Sequence, residues 1–293
     1  MLSRTVYDAI VLGAGPAGLA CAAVLGKRGF HVLVLEQWPG IRDKVCGDGI
    51  SVFCVPQLAR LGIGEKELLE AGALPILRKK EFFGNEEKTT VYEKPCYGLP
   101  RPILMGLLSH VALRRKVRIH FGFPVQKVEK EGDFYVVNHH LAGKIVVNAM
   151  GAVSFLRLAE TRDLPFGISS RIFGNPSGID NHCYHFYYGP DYGNGYAWIF
   201  PIGNGLWNVG VWNGDKRKDV AEAYRQFERS LFGEEPLNYD RKPGGAFIGA
   251  SNGKVALDLP ALGDAAYLAS YSSGEGITYA LQSAIDYAET VVL

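Results

Sequence analysis

Two spacings of apolar residues alternate along the chain. Near its start, Tyr7-Asp8-Ala9-Ile10-Val11-Leu12 is an almost continuous apolar run of strand length, the pattern of a strand covered on both faces. Gly13-Ala14-Gly15-Pro16-Ala17-Gly18 follows, and then the small, apolar run Leu19-Ala20-Cys21-Ala22-Ala23-Val24-Leu25, which reads as a helix stopped by Gly29. His31-Val32-Leu33-Val34-Leu35 repeats the strand pattern and ends at Glu36. Together these segments predict a βαβ unit. Lys144 to Ala149 predicts a further buried strand, and an apolar run from Val255 leads to Gly263-Asp264. Behind Gly274-Glu275-Gly276, the positions Ile277, Ala280, Leu281, Ala284, Ile285 and Ala288 recur at helical spacing.

The middle of the chain has a period of two. Glu81 to Tyr92 reads as a hairpin turning near Gly84-Asn85. His182, Tyr184, Phe186 and Tyr188 alternate, Tyr196, Trp198 and Phe200 do so in the next strand, and Val209 and Val211 continue the pattern after Trp207. This predicts an antiparallel sheet with an aromatic face lying over the first unit. Such a face serves as a hydrophobic cavity wall or simply as core between the two units. The expected division is 1–75, 98–155 and 246–293 for the nucleotide-binding domain, and 76–97 and 156–245 for the sheet domain.

Composition narrows the function classes. The 293 residues carry a net charge of +1, so no global field favours nucleic acid. The basic run Arg114-Arg115-Lys116 reads as a helix end, where cations are at home. Five scattered cysteines without CxxC spacing argue against a disulfide framework and a zinc site. His139-His140 is a poor metal clamp, because strand neighbours point to opposite faces. The first strand begins at once, with no secretory signal ahead of it, so a reducing, cytoplasmic setting is expected. Leu19 to Leu25 is too short to span a bilayer. Peripheral membrane contact stays open.

The glycine loop carries the first chemistry. Gly13 permits the tight exit from the strand, Gly15 lets the backbone approach a pyrophosphate, and Gly18 lets helix and strand pack closely; Ala17 belongs to the same cradle. The helix N-terminus offers free N–H groups to phosphate. Glu36 can accept from both ribose hydroxyls of an adenosine, and its carboxylate repels a 2′-phosphate. That disfavours NADP and leaves FAD or NAD.

With Gly263-Asp264-Ala265-Ala266 and Gly274-Glu275-Gly276-Ile277 added, the chain resembles the flavoprotein monooxygenase superfamily. Three segments are most similar to geranylgeranyl reductases: Lys44-Val45-Cys46-Gly47-Asp48-Gly49, Tyr196-Ala197-Trp198-Ile199-Phe200-Pro201, and Gly263-Asp264 through Gly276. The resemblance covers nearly the whole chain. It implies an α/β fold: a Rossmann-like FAD-binding domain of the glutathione-reductase type with an inserted antiparallel β-sheet substrate domain. It further implies that Asp264 bonds the ribityl chain and that the helix opening at Gly276 and Ile277 aims its positive end at the flavin N1/O2 edge. Arg101 would begin a helix beside the cofactor, Gly263 and Gly274 would shape its turns, and the Cys46-Gly47 loop would lie near the ring on the substrate side. The chain departs from the superfamily pattern after the strand at 144–149, where Met150-Gly151 stands in place of Asp-Gly, and in ending one helix after Gly-Asp.

Three reactivities follow. In the first, reduced FAD gives hydride to a carbon–carbon double bond of a prenyl or other hydrophobic substrate, and Cys46 or Tyr196 supplies the proton. Tyr184, Phe186, Trp198 and Phe200 would line the pocket. The electron donor would be NAD(P)H, a reduced ferredoxin or a reduced flavin, with an electron-donor protein as a partner. In the second, reduced FAD activates oxygen for hydroxylation or halogenation of an aromatic or polyketide-like metabolite. In the third, the flavin is structural and the protein is a binding module.

Overall fold

The computed structural model describes residues 5–154, 156, 164–174, 178–214, 220–234, 236–250 and 259–293. In chain order, β1 (Thr5–Leu12), α1 (Pro16–Lys27) and β2 (Val32–Leu35) form the opening unit. The two-residue β3 (Gly49–Ile50) and the short helices α2 (Cys54–Leu61) and α3 (Glu65–Glu70) follow. A long hairpin, β4 (Leu74–Phe83) and β5 (Glu86–Gly98), leads into α4 (Arg101–Arg114). Next come β6 (Arg118–His120), β7 (Val128–Glu131), β8 (Phe134–Val137) and β9 (Leu141–Asn148). The remainder is β10 (Phe166–Phe173), β11 (Cys183–Tyr188), β12 (Tyr196–Pro201), β13 (Leu206–Asn213), α5 (Val220–Phe232), β14 (Tyr239–Phe247) and α6 (Ile277–Thr290).

The first sheet has the order β6-β2-β1-β9-β8-β7. β1 lies between β2 and β9, parallel to both, which is why its second half is apolar at every position. The parallel Rossmann-type sheet that the βαβ unit predicts does not run parallel throughout: β8 and β7 join antiparallel beyond β9. Short turns link β7, β8 and β9, and a short turn can only reverse the chain. The His139-His140 pair sits in the second of these turns, with Asn138 and His139 at φ values of 47° and 64°.

One face of this sheet is covered by α1, α4 and α6, whose shared core includes Leu19, Leu25, Leu104, Leu108, Leu281 and Ile285. Each such fully buried side chain contributes about 1.5–3 kcal/mol. The small residues of α1 allow close contact. At Gly26 a Cβ would come within 2.7 Å of the Arg115 carbonyl oxygen at the end of α4. Arg28 fastens the far end, donating from Nη1 to the Ala288 and Val291 carbonyls at 2.6 and 2.7 Å.

The second sheet has the order β14-β10-β13-β12-β11-β4-β5-β3. It is antiparallel except for one pair. β11 runs parallel to β4, a departure from the expected all-antiparallel arrangement. β11 reaches β4 through a long excursion of the chain and not a hairpin, so no tight turn dictates its direction. A second departure is α5, an amphipathic helix that burial of Val220, Ala223, Tyr224 and Phe227 fixes to the sheet. It covers the face carrying Ala197, Ile199, Trp207, Val209 and Val211. Trp207, Val209 and Val211 therefore do not extend the aromatic face; Ile199 pairs with Val209 while Trp198 pairs with Gly210.

Of the strand expected from Val255 to Leu262, residues 255–258 lie outside the described residues. Past them, Ala261 bridges Asn148 in parallel, and Leu262 N donates to the Asn148 carbonyl at 2.9 Å. This contact delivers Gly263 to the tip of β9, beside the glycine loop after β1.

Candidate functional site

Remote parts of the chain meet at the upper ends of β1 and β9. Gly13 leaves β1 at φ +102°, and a Cβ there would stand 2.5 Å from the Ala149 carbonyl oxygen. At Gly18 a Cβ would be 1.9 Å from the Gly13 carbonyl oxygen, so α1 can approach β1 only through glycine. Gly15, the residue before α1, has open space where its Cβ would be. The first turn of α1 has no side-chain cap and no acidic residue. Its N–H groups are thus left for an external anion, the arrangement a pyrophosphate uses. Glu36 stands beside the loop: its Oε2 accepts from Ala14 N at 2.8 Å and its Oε1 from Trp38 N at 3.1 Å. Each carboxylate oxygen keeps capacity for a hydroxyl.

The C-terminal segment closes on this cradle. A Cβ at Gly263 would meet Ala17 at 3.2 Å and Ala280 at 3.0 Å, so the turn 263–266 is wedged between the starts of α1 and α6. Asp264 follows, paired with Lys44 Nζ at 3.3 Å. Gly276, the residue before α6, has its missing Cβ 3.1 Å from Asp264 Oδ1. α6, like α1, begins with no side-chain cap. Ile277 packs into the helical core, and Gly274 rests its backbone on the Trp212 indole, 3.3 Å from where its Cβ would be. The sequence-identified residues Gly13, Gly15, Ala17, Gly18, Gly263, Asp264, Gly276 and Ile277 are therefore brought together. This donor set, with two uncapped helix starts and side-chain-free approaches, fits a dinucleotide with an anionic centre.

Between the two sheets runs the segment 43–49, tied down residue by residue. Asp43 pairs with Arg171 and Lys44 with Asp264. The Cys46 carbonyl accepts from Asn208 Nδ2 at 2.7 Å and from Ser169 Oγ at 3.1 Å. Gly47 lies on the aromatic face, with Phe200 and the Trp198 indole nitrogen 3.5 and 3.6 Å from where its Cβ would be. Asp48, at φ 56°, is only 2% exposed. Its Oδ1 accepts from Arg101 N at 2.8 Å, its Oδ2 from Asn208 Nδ2 at 2.7 Å, and Arg171 Nε lies 3.3 Å away. Burial pushes the Asp48 carboxyl upward, opposed by the Arg171 charge and by these hydrogen bonds.

Cys46 is half-buried, whereas Cys21, Cys54, Cys96 and Cys183 are buried. Burial pushes Cys21 and Cys54 up to about 12, and Cys96 and Cys183 to about 11, so these four stay thiols near neutral pH. The Cys46 sulfur receives Asp48 N at 3.4 Å and Arg101 Nη1 at 3.6 Å. Arg101 thus opens α4 beside Cys46, with its own side chain buried.

The aromatic face divides into two parts. Tyr184, Trp198 and Phe200 are buried under the 46–49 loop, with Tyr184 and Phe200 ring centroids 4.3 Å apart. Phe186 and Tyr196 are half-buried and meet edge-on at 5.1 Å. The Tyr196 hydroxyl donates to the Ser273 carbonyl at 2.7 Å, and burial raises it well above the ordinary phenol range. Ser51 Oγ donates to Glu275 Oε1 at 2.6 Å, joining the loop after β3 to the start of α6.

Sequence reasoning missed Asn208, Arg171 and Ser169. Each is a polar residue flanked by apolar stretches of its strand and fully or almost fully buried. That interruption is the available signal, since a polar side chain in such a place requires partners.

Comparison with known proteins matches this geometry. The FAD binding domain family covers residues 6–144. Menaquinone reductase of Mycobacterium tuberculosis is 30% identical over 94% of this chain and 74% of its own length. Digeranylgeranylglycerophospholipid reductase of Methanocaldococcus jannaschii is 27% identical over the same shares, 94% and 74%. Among solved structures, a geranylgeranyl bacteriochlorophyll reductase-like protein of Thermoplasma acidophilum superposes with a TM-score of 0.81 at 22% identity, covering 98% of this chain and 78% of that one, a likeness of fold. Its FAD-binding fold, and its identity to a curated reductase over nearly its full length, make this chain a member of the geranylgeranyl reductase-like family of FAD-dependent oxidoreductases.

Proposed function

We propose that the enzyme reduces carbon–carbon double bonds of a prenyl chain borne by a quinone or lipid, with Cys46 as the proton donor. The observation that carries this reading is the half-buried Cys46 thiol, fixed at the seam between the nucleotide cradle and the aromatic face. The names of the relatives, a menaquinone reductase and a reductase of a digeranylgeranyl lipid, point to the same substrate class.

Bound FAD, once reduced, supplies the hydride. The chain's own residues do the rest. Gly13, Gly15, Gly18 and the first turn of α1 hold the pyrophosphate, Glu36 the adenosine ribose, and Asp264 the ribityl chain. The residues of 1–75, 98–155 and 246–293 make up the cofactor half, and those of 76–97 and 156–245 the substrate half. The start of α6, with Gly274 and Gly276, favours negative charge at the flavin edge beside it. Phe186 and Tyr196 face the prenyl chain, while Tyr184, Trp198 and Phe200 support the loop from below. Tyr196 is a wall more than an acid, because its hydroxyl proton is engaged by the Ser273 carbonyl. The Cys46 sulfur receives two N–H groups, which would stabilise it once its proton has passed to the substrate carbon.

Electrons arrive from NAD(P)H or from a reduced ferredoxin or flavin. Among the described residues no helix is long and apolar enough to cross a membrane. Peripheral contact with a membrane is the route we propose for a prenyl lipid substrate. Anaerobic reduction of the FAD-loaded protein, followed by menaquinone or a geranylgeranyl lipid, tests the proposal. The flavin should reoxidise in step with loss of one alkene per turnover, and Cys46→Ala should slow this step by about 10²-fold or more. Reoxidation only on admission of air would overturn the reductase reading. Full-rate reoxidation in Cys46→Ala would overturn the assignment of the acid.

A further inference from the structure

We infer that Asn208 is a positioning residue that couples the aromatic layer beneath the substrate wall to the proton donor; the inference deepens the role proposed for Cys46 and rests on it. Asn208 is fully buried on β13. Its amide makes three hydrogen bonds: Oδ1 accepts from Trp198 Nε1 at 2.8 Å, and Nδ2 donates to the Cys46 carbonyl and to Asp48 Oδ2, each at 2.7 Å. The neighbours dictate which way the amide points. An indole N–H can only donate, so Oδ1 must face Trp198. A backbone carbonyl and a carboxylate can only accept, so Nδ2 must face the loop. Leucine has the shape without the bonds. Aspartate keeps the bond to Trp198, but it loses both donors and sets a second carboxylate against Asp48.

The three partners belong to two layers, Trp198 to the aromatic face and Cys46 and Asp48 to the segment above it. Trp198 lies flat over Gly210, where a Cβ would come within 2.2 Å of Cζ2, so β13 fixes the indole both by Gly210 and by Asn208. On the other side, Asn208 and Ser169 pin the Cys46 carbonyl, and the left-handed turn at Asp48 then folds the chain back. That turn brings the Asp48 N–H to the Cys46 sulfur, and Arg101, whose backbone N–H Asp48 accepts, adds its guanidinium Nη1. The direction of the thiol is thus set from beneath by a residue that touches neither substrate nor cofactor. Displacement of the Trp198 ring would be passed through one amide to the thiol.

Alkylation of Cys46 in the FAD-loaded protein, followed by peptide mass spectrometry, tests this without relying on turnover. The other four cysteines are buried, so iodoacetamide should mark Cys46 first. In Asn208→Leu the pH profile of Cys46 alkylation should shift and its rate change by about tenfold, the equivalent of one lost hydrogen bond. kcat should fall in parallel while KM changes less. Ser169→Ala removes only the second donor and should move both quantities less. Should Asn208→Leu not fold, Asn208→Ser gives the same reading, since serine cannot span three partners. A Cys46 profile within twofold of wild type in a folded Asn208 variant would overturn the inference. Normal turnover in Cys46→Ala, with the alkylation shift still present in Asn208→Leu, would instead reject the acid assignment and leave the coupling standing.

Discussion

His185 is buried on the α5 side of the second sheet, and neither of its ring nitrogens has a hydrogen-bond partner among the described residues. Burial holds its pKa below 6.5, and the Lys80 charge acts in the same direction. The unfolded chain therefore takes up the proton first as pH falls. Stability from the neutral ring is complete above about pH 6.5 and is lost as pH drops toward the lower folded value. His185→Leu should flatten this acid-side decline in urea unfolding, with little change near neutrality because no hydrogen bond is lost. An unchanged acid slope would show that other groups carry it. At this scale the sequence was readable where chemistry demands one residue type. Gly13, Gly15 and Gly18 stand out because nothing else fits a tight strand exit and a phosphate approach. Asn208 and Arg171 did not stand out, since their meaning lies in partners remote in sequence, Cys46, Asp43 and Asp48, up to 162 residues away.

Among the elements, α5 is the informative surprise. Its buried positions Val220, Ala223, Tyr224 and Phe227 follow helical spacing, but they fall in a region whose neighbours all read as strand. Phe227 packs against Tyr187 at 5.1 Å on the face turned away from the cofactor cradle. Phe227→Ala should cost about 3–5 kcal/mol in denaturant unfolding, while the FAD affinity of the folded fraction stays at the wild-type value. Loss of FAD affinity in proportion to stability would mean that the back of the sheet and the cradle are one energetic unit. The parallel β4–β11 pair and the antiparallel β7 and β8 were hidden for a related reason. Alternation reports that a segment is a strand, whereas direction is fixed by how the connecting chain travels.

For the molecule as a whole, the decisive feature is convergence. Residues near 13–18, 36, 46–48, 101 and 263–277 are far apart in sequence, yet Gly263 fits between Ala17 and Ala280, and segment 43–48 spans from the Asp264 turn to β10 and β13. Motif spacing made the two ends of this site legible. The ion pairs of buried Arg171 with buried Asp48 and with the more exposed Asp43 and Asp240 became visible only once the sheets were stacked. The resulting site joins the glycine-loop cradle to the aromatic face through the single segment 43–49. The measurement that tests its function most directly is the mass of the product from a single anaerobic turnover of a polyprenyl quinone. The account predicts a gain of two hydrogens, located in the prenyl chain. A product that forms only with oxygen present, and that carries an added oxygen or halogen atom, would contradict it.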